Sequence, residues 1–533
     1  MSHFRQRVVR TRYWDTQENP GIFPECHDPD YACAHVQDRR DFGVAFSGGG
    51  TRSASATLGQ LRALRNLGWL ERLGYVSAVS GGSWASVPFE FLPPSIPDER
   101  FLGPAVLPGR LGLSDLDYGP KGSLAHAISK TVIGDDFFRR TLLLGGDEAY
   151  SRAIGDLFLK PFDLHDRNRF FTFYPAALDK ILEANSGDPD YYLTADDFYG
   201  VQEGRPFLIV AGTLLRARNS DPKRKKMLCE YTPLYAGVRC RFDGAGRLGR
   251  PIGGGYVQSF AYDTKNPEAP AQNGLYQVEI GERRYQFTLS DVVGSSGAAP
   301  EETVRSFGAT FLGFPEFRHW PVADGDRVRE SEYPHGDGGH LENFGIMPLL
   351  MRGVERIIVF VNTPTPLFGK NENGQLLAKT FTDDLGPLFG RTDNVDVKKA
   401  QEQLACNQVF APDRLDLLVD GLKKRQQQGA PLVHAETYAV RANDHFGIRP
   451  YSARICWVYN SPCGQWNASL PSETRHYLEN DKQFVRFPNY KTFGENPPNV
   501  IDLSLHQVNM LAHFAYWQVA ESKDYIEDAL GIR

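Results

Sequence analysis

The chain has 533 residues, 59 Lys plus Arg against 65 Asp plus Glu, and a formal net charge of −6. That near balance carries no electrostatic signature for nucleic acid or for an anionic membrane. The composition is that of an ordinary globular protein with ample length for a large core, and no run of eighteen apolar residues could span a bilayer.

The seven cysteines are scattered, odd in number and without a C-x-x-C pair, which suits a reducing compartment. The first twelve residues carry arginines but no apolar core segment, so a cleaved signal peptide is not expected. The expected setting is cytoplasmic, with export by a route that needs no cleaved signal as the alternative. Residues 1–40 are polar and turn-rich and read as a lead-in arm. Within them Cys26, His27, Cys33 and His35 lie close together, but their spacing fits no zinc template, and no metal or other cofactor is expected. Phenylalanine and tyrosine are plentiful, 34 and 23, which fits a large core first and an apolar acyl-binding channel second.

Asp41 to Leu92 is the most ordered stretch. A short apolar run, Phe42 to Phe46, stops at three consecutive glycines, Gly48, Gly49 and Gly50. A helical pattern follows, with Leu58, Leu61 and Leu64 spaced for one buried face. A second short strand, Tyr75 to Val79, runs into Ser80-Gly81-Gly82-Ser83. Glycines let backbone N–H groups converge on an oxyanion, because no Cβ forces the chain away. A serine on a strand-to-helix turn projects its Oγ clear of the sheet, as in a nucleophile elbow. Alanine at 78 takes the place of the first glycine of G-x-S-x-G. A dinucleotide-binding reading of the glycine turn fails, because Ser53 stands where G-x-G-x-x-G needs its third glycine.

Pro93-Pro94 and a Pro/Gly-rich stretch to Gly122 interrupt the pattern, and residues 123–200 look mainly helical. A β-rich block resumes at Pro206 to Thr213, followed by the basic cluster Lys223-Arg224-Lys225-Lys226, whose bland reading is a solvated loop and whose sharper one is contact with an anionic membrane. Glu230 to Gly237, Gly253-Gly254-Gly255 and Asp291 to Pro300 are three further unusual segments. The last consists largely of tiny residues, which allow a helix to pack closely near a site. His335-Gly336-Asp337-Gly338-Gly339-His340 then places a carboxylate on a Gly-rich turn, ahead of a short helix (Gly345 to Arg352) and a strand (Arg356 to Asn362). Residues from Thr363 to Gly429 are polar and read as a surface insertion. Two strand-like segments follow, and Leu503 to Leu530 reads as one C-terminal helix packed on the core.

Taken together, Ser47-Gly48-Gly49-Gly50-Thr51-Arg52, the turn at Ser80, and Asp337-Gly338-Gly339 resemble, in that order, the G-G-G-x-R, G-x-S-x-G and D-G-G/A motifs of patatin-like phospholipases. Glu230 to Gly237 and Gly294 to Ala299 look more like the cytosolic phospholipase A2 and fungal lysophospholipase branch, with a weaker echo at Phe487-Pro488-Asn489. The resemblance implies an α/β fold, a central mostly parallel sheet flanked by helices, with a large helical insertion between nucleophile and acid. It implies one catalytic domain over 41–533, with a cap insertion at about 93–200 and a surface insertion at about 363–430. It further implies a Ser80–Asp337 dyad without histidine, an oxyanion hole at Gly48, Gly49 and Gly50 in which Gly49 and Gly50 donate N–H groups and Gly48 completes the turn, and Arg52 acting on a lipid phosphate or on the loop. The implied activity is hydrolysis of fatty acyl esters of glycerophospholipids or lysophospholipids through an acyl-serine. The implied partners are that lipid, a peripheral membrane surface and a protein activator, and not nucleic acid. Two other readings stay open. One is a Ser-His-Asp esterase drawing its base from His340, His434, His445, His476, His506 or His513. The other is a lipid-binding protein that keeps the fold without turnover.

Overall fold

The computed structural model describes residues 7–18, 20–129, 149–173, 175–186, 193–215, 226–246, 250–265, 274–280, 287–298, 315–320, 331–370, 374–393, 403–404, 406–491 and 503–532. Of the sequence features above, Lys223 to Lys225, Ala299 and Pro300 lie outside the described residues, as do 130–148 and 187–192 of the cap insertion.

Thirteen strands form one sheet among the described residues. In chain order they are β1 (Arg7–Asp15), β2 (Phe42–Phe46), β3 (Tyr75–Val79), β4 (Phe207–Leu215), β5 (Lys226–Tyr231), β6 (Tyr235–Val238) and β7 (Gly255–Gln258). They continue with β8 (Leu275–Ile280), β9 (Glu316–His319), β10 (Ser331–Asp337), β11 (Arg356–Val361), β12 (Val433–Val440) and β13 (Tyr451–Tyr459). The spatial order is β8-β1-β7-β6-β5-β4-β3-β2-β11-β13-β12, with β10 on β4 and β9 on β10.

The fold is α/β. Its centre, β4-β3-β2-β11-β13, is parallel, and the strands on either side of it are antiparallel. The sequence explains the division. Phe42–Phe46 and Tyr75–Val79 are buried at every position, as are Ile357 to Val361 of β11. Continuous apolar runs of this kind belong to strands covered on both faces, which parallel connections through helices provide. From β2 the chain moves one way, to β3 and β4, while β11 is added on the other side of β2. The order therefore reverses at β2, and open α/β sheets bind ligands in the crevice at the strand ends beside such a reversal.

Two helices fix that crevice. Helix α1 (Gly50–Asn66) leaves the glycine turn and is buried from Gly50 to Leu64. Helix α2 (Gly81–Glu90) leaves the serine turn and is buried throughout. Both need more cover than the sheet gives. Helix α3 (Ala149–Phe158) and α4 (Leu289–Ser296) meet through glycines: a Cβ on Gly294 would lie 2.6 Å from Ser151 Cα, and one on Gly155 would lie 2.2 Å from Ser290 Oγ. Gly294 thus lets α4 pack closely on α3, and Gly297 does the same against α2, where a Cβ would lie 2.7 Å from the Trp84 ring. Helix α1 is covered by α5 (Leu505–Glu521), whose carbonyl at Ala512 sits where Gly59 leaves room; a Cβ there would lie 2.0 Å from that oxygen.

The expected single C-terminal helix is two helices. Ser522 closes α5 and opens α6 (Lys523–Leu530), a break that a lone serine in a helical pattern does not announce. The polar N-terminal arm also does more than lead in. Its residues Arg7–Asp15 form β1 inside the sheet, and Glu25 joins a buried ion cluster. There Arg352 donates Nε to Glu25 (2.9 Å), Nη1 to Glu230 (2.5 Å) and Nη2 to the Tyr235 hydroxyl (2.7 Å). Two carboxylates sharing one guanidinium out of water hold together only with such hydrogen bonds around them. Glu230 and Tyr235 of the unusual 230–237 segment belong to this network.

Candidate active site

Ser80 links β3 to α2 with φ 50° and ψ −122°, a left-handed conformation uncommon for a residue with a side chain. Hydrogen bonds on both sides hold it there. Its N–H donates to Ser296 Oγ (2.8 Å), and that hydroxyl donates to the Ala211 carbonyl (2.9 Å). Its own carbonyl accepts from Ser83 N (2.8 Å) and Ser83 Oγ (2.6 Å). Ala78, the departure from the elbow motif, lies fully buried in β3.

The glycine turn lies directly against this elbow. A Cβ on Gly81 would lie 2.0 Å from the Gly50 carbonyl oxygen, and one on Gly48 would lie 3.2 Å from Ser80 Cβ. Gly49 (φ 136°) and Gly50 (φ 58°) take backbone conformations that favour glycine. Because α1 begins at Gly50, the partial positive charge of its N-terminus falls on this turn, where negative charge is favoured.

Asp337 reaches the same place through strand register. The first half of β4 pairs with β3, ending at Val79 opposite Ala211. Its second half pairs with β10 on the same side, ending at Asp337 opposite Gly212. The two strands therefore meet end to end, with Ser80 following one and Asp337 closing the other. Gly338 permits the meeting, since a Cβ there would lie 2.4 Å from the Ala211 oxygen and 3.1 Å from Val79 Cγ1. Asp337 accepts Gly339 N at Oδ1 (2.7 Å), and its carbonyl accepts Thr213 Oγ1 (2.8 Å). Ser80 and Asp337 are 3% and 4% exposed, so the pair is nearly dry.

No protein-family model matches the chain, and no curated protein matches it. Among solved structures it is similar to human GIVD cytosolic phospholipase A2, with a TM-score of 0.46 and 12% identity over 94% of this chain and 64% of that one. It is similar to the same protein in complex with methyl gamma-linolenyl fluorophosphonate, with a TM-score of 0.43 and 14% identity over the same shares. The chain thus spans 64% of the length of those it matches.

Arg52 lies behind the glycine turn, 4% exposed. It donates Nε to the Asn362 carbonyl (3.0 Å) and Nη1 to the Tyr490 carbonyl (2.7 Å). Burial pulls its pKa down to about 9, against the opposing charge of Asp384. These contacts join the turn to the end of β11 and to the segment after Phe487-Pro488-Asn489.

The histidines have other partners. His335 is held between the Tyr333 carbonyl (2.7 Å) and the Tyr262 hydroxyl (2.8 Å), among aromatic rings. His434 bonds Glu436 on the edge strand β12, His445 the Lys226 carbonyl, His476 Asn480, and His506 Tyr477 and Asp117. His513 is buried in α5 and accepts from Val106 N (3.4 Å). His340, one turn beyond Asp337, faces the Ala298 carbonyl at 3.4 Å. The N-terminal group divides likewise: Cys26 meets Tyr75, His27 meets Phe23, Cys33 meets His35, and His35 meets the Arg205 carbonyl.

Sequence reasoning passed over Ser296, Asn343 and Asp384. Gly48 N donates to the Asn343 carbonyl (2.9 Å), and Asn343 Nδ2 donates to Asp384 Oδ2 (2.9 Å). The only trace of Ser296 in the sequence is its place in the run of tiny residues.

The far end of α2 carries an unusual acid. Glu90 is fully buried, and among the described residues neither carboxylate oxygen has a hydrogen-bond partner. Burial pushes its pKa up to about 8, with Arg205 opposing and Asp98 adding. The folded protein therefore holds a proton that the unfolded chain releases near pH 4–5, so this group's contribution is fully present below that range and is lost as pH rises toward 8. Glu90→Gln should melt progressively higher than wild type as pH is raised from 5 to 8. A difference in melting temperature that does not change with pH would contradict this.

Proposed function

We propose that this protein is a serine acyl hydrolase that cleaves fatty acyl esters of glycerophospholipids or lysophospholipids. The observation that carries the reading is the end-to-end register of β3 and β10 on β4, which brings the Ser80 turn and Asp337 to adjacent positions beside the glycine turn. Ser80 is the nucleophile and Asp337 the base. As Ser80 Oγ attacks the acyl carbonyl, its proton passes to the Asp337 carboxylate. The oxygen of the tetrahedral intermediate takes the negative charge, and N–H groups of Gly49 and Gly50 with the α1 N-terminus stabilise it, while Gly48, whose N–H is given to the Asn343 carbonyl, completes the turn. One such donor is worth about 3 kcal/mol of transition-state stabilisation. Collapse breaks the bond to the glycerol oxygen, which takes the proton from Asp337 and leaves. Water then attacks acyl-Ser80, gives its proton to Asp337, and the fatty acid departs as Ser80 recovers its proton.

Asp is a weak base in water, so its work here rests on position: a carboxylate held beside the serine hydroxyl takes the proton as the bond to the acyl carbon forms. The substrate lies in a membrane or micelle, so the proposed partner is a lipid surface and the proposed setting is the cytoplasmic face of a membrane.

The test is fatty-acid release by the full chain from phosphatidylcholine vesicles and lysophosphatidylcholine micelles, beside Ser80→Ala. Release by wild type alone is expected. Equal release by both proteins, or none from folded wild type, would contradict the reading.

A further inference from the structure

The glycine turn and the acid turn come from distant parts of the chain, yet the proposed reaction needs them in fixed register. Asn343 is the residue that touches both. Its Oδ1 lies where a Cβ on Gly48 would come within 2.2 Å and one on Gly339 within 2.6 Å, so it covers both glycine Cα atoms. Its carbonyl accepts Gly48 N at 2.9 Å. The residue before it closes the same turn from behind: Glu342 accepts Phe344 N (2.5 Å) and Ile346 N (2.9 Å). The backbone at 343 is therefore set, and what remains free to turn is the Asn343 amide.

That amide is held by a residue from a third part of the chain. Asp384 Oδ2 accepts Asn343 Nδ2 at 2.9 Å and Thr382 Oγ1 at 3.4 Å. An Asn side chain has two faces, and only the donor held by Asp384 keeps Oδ1 pointed at the glycines. The Asp384 charge also acts on Arg52, whose Nη2 lies against Gly49, where a Cβ would come within 2.2 Å of it. Asp384 thus reaches the glycine turn from both ends, through Asn343 at Gly48 and through Arg52 at Gly49.

We propose that Asp384 is a positioning residue of this site: by holding the Asn343 amide, it locks the Gly48–Gly50 turn to the Asp337–Gly339 turn. The catalytic consequence rests on the acyl-hydrolase reading above; the lock itself does not. Loss of the lock leaves the oxyanion donors and the base present but unregistered. Misplacement on the order of 1 Å can cost about 10²-fold in rate. Asp384→Asn keeps an oxygen that accepts from Asn343 Nδ2 and so keeps most of the lock.

Two readouts test it on the full-length protein with wild type, Asp384→Ala, Asp384→Asn, Asn343→Ala and the double alanine variant. The first is amide hydrogen exchange. Peptides covering 47–52 should exchange about tenfold faster or more in both single alanine variants, with the β11 peptide 356–361 unchanged. The second is fatty-acid release. Each single alanine variant should lose roughly 10–100-fold in kcat with little change in KM, the double variant should lose no more than the worse single, and Asp384→Asn should recover most of the rate. Wild-type exchange at 47–52 in Asp384→Ala would overturn the proposal. So would a double variant whose loss equals the product of the singles. Faster exchange at 47–52 with no release from wild type would sustain the lock and refute the hydrolase reading instead.

Discussion

Asp337→Asn should lower ester turnover by about 10²–10⁴-fold, the range that a general base contributes. The two side chains have the same shape, and the asparagine oxygen can still accept Gly339 N, which Asp337 binds at 2.7 Å. What is lost is the capacity to take the Ser80 proton. The melting temperature should therefore stay near that of wild type while kcat collapses, a split that separates chemistry from folding. The histidines sharpen the test. His335 sits in an aromatic pocket with both ring nitrogens engaged, so His335→Ala should cost stability. His340 is the first histidine after Asp337 in the chain, and His340→Ala should leave turnover within about threefold, as a partly exposed substitution outside the dyad would. A His340→Ala variant as inactive as Ser80→Ala would replace the dyad with a histidine-dependent site.

Gly49→Ala should cost roughly 10²–10³-fold in kcat, the scale of losing an oxyanion donor. Its φ of 136° is unsuited to a side chain. A Cβ would also come within 2.2 Å of Arg52 Nη2 and 3.0 Å of the Asn362 carbonyl. The turn must then shift, and the N–H groups shift with it. Gly68→Ala is the control: φ there is 67°, and among the described residues no heavy atom beyond its own chain neighbours lies within 4 Å of the added carbon. It should lower the melting temperature through backbone strain alone, costing on the order of 1 kcal/mol, and leave kcat untouched. Equal loss of kcat in both variants would show that the Gly49 effect is one of general stability.

How much of this was legible depended on distance along the chain. The unit from Phe42 to Glu90 is written locally: apolar runs, glycines and a serine at the positions where strands end. Asp337 was recognisable as a motif, but its meeting with Ser80 depends on which half of β4 each strand takes, and no local pattern encodes that pairing. Strand β1 did leave a trace. Val9 and Thr11 are fully buried at alternate positions, a period-two signal masked by Arg10 between them and Arg12 after them. Asp384 left none. It is one acid in a polar stretch read as surface, and only the folded chain gives it Asn343 as a neighbour. Tertiary partners of that kind are invisible to periodicity, because nothing in the pattern of the stretch depends on them.

The most direct test of the dyad is fluorophosphonate labelling of the full-length protein, with the modified residue located by peptide mass spectrometry. The account predicts a single adduct on Ser80, absent in Ser80→Ala and formed far more slowly in Asp337→Asn. An adduct on another residue, or none on folded wild type, would contradict it.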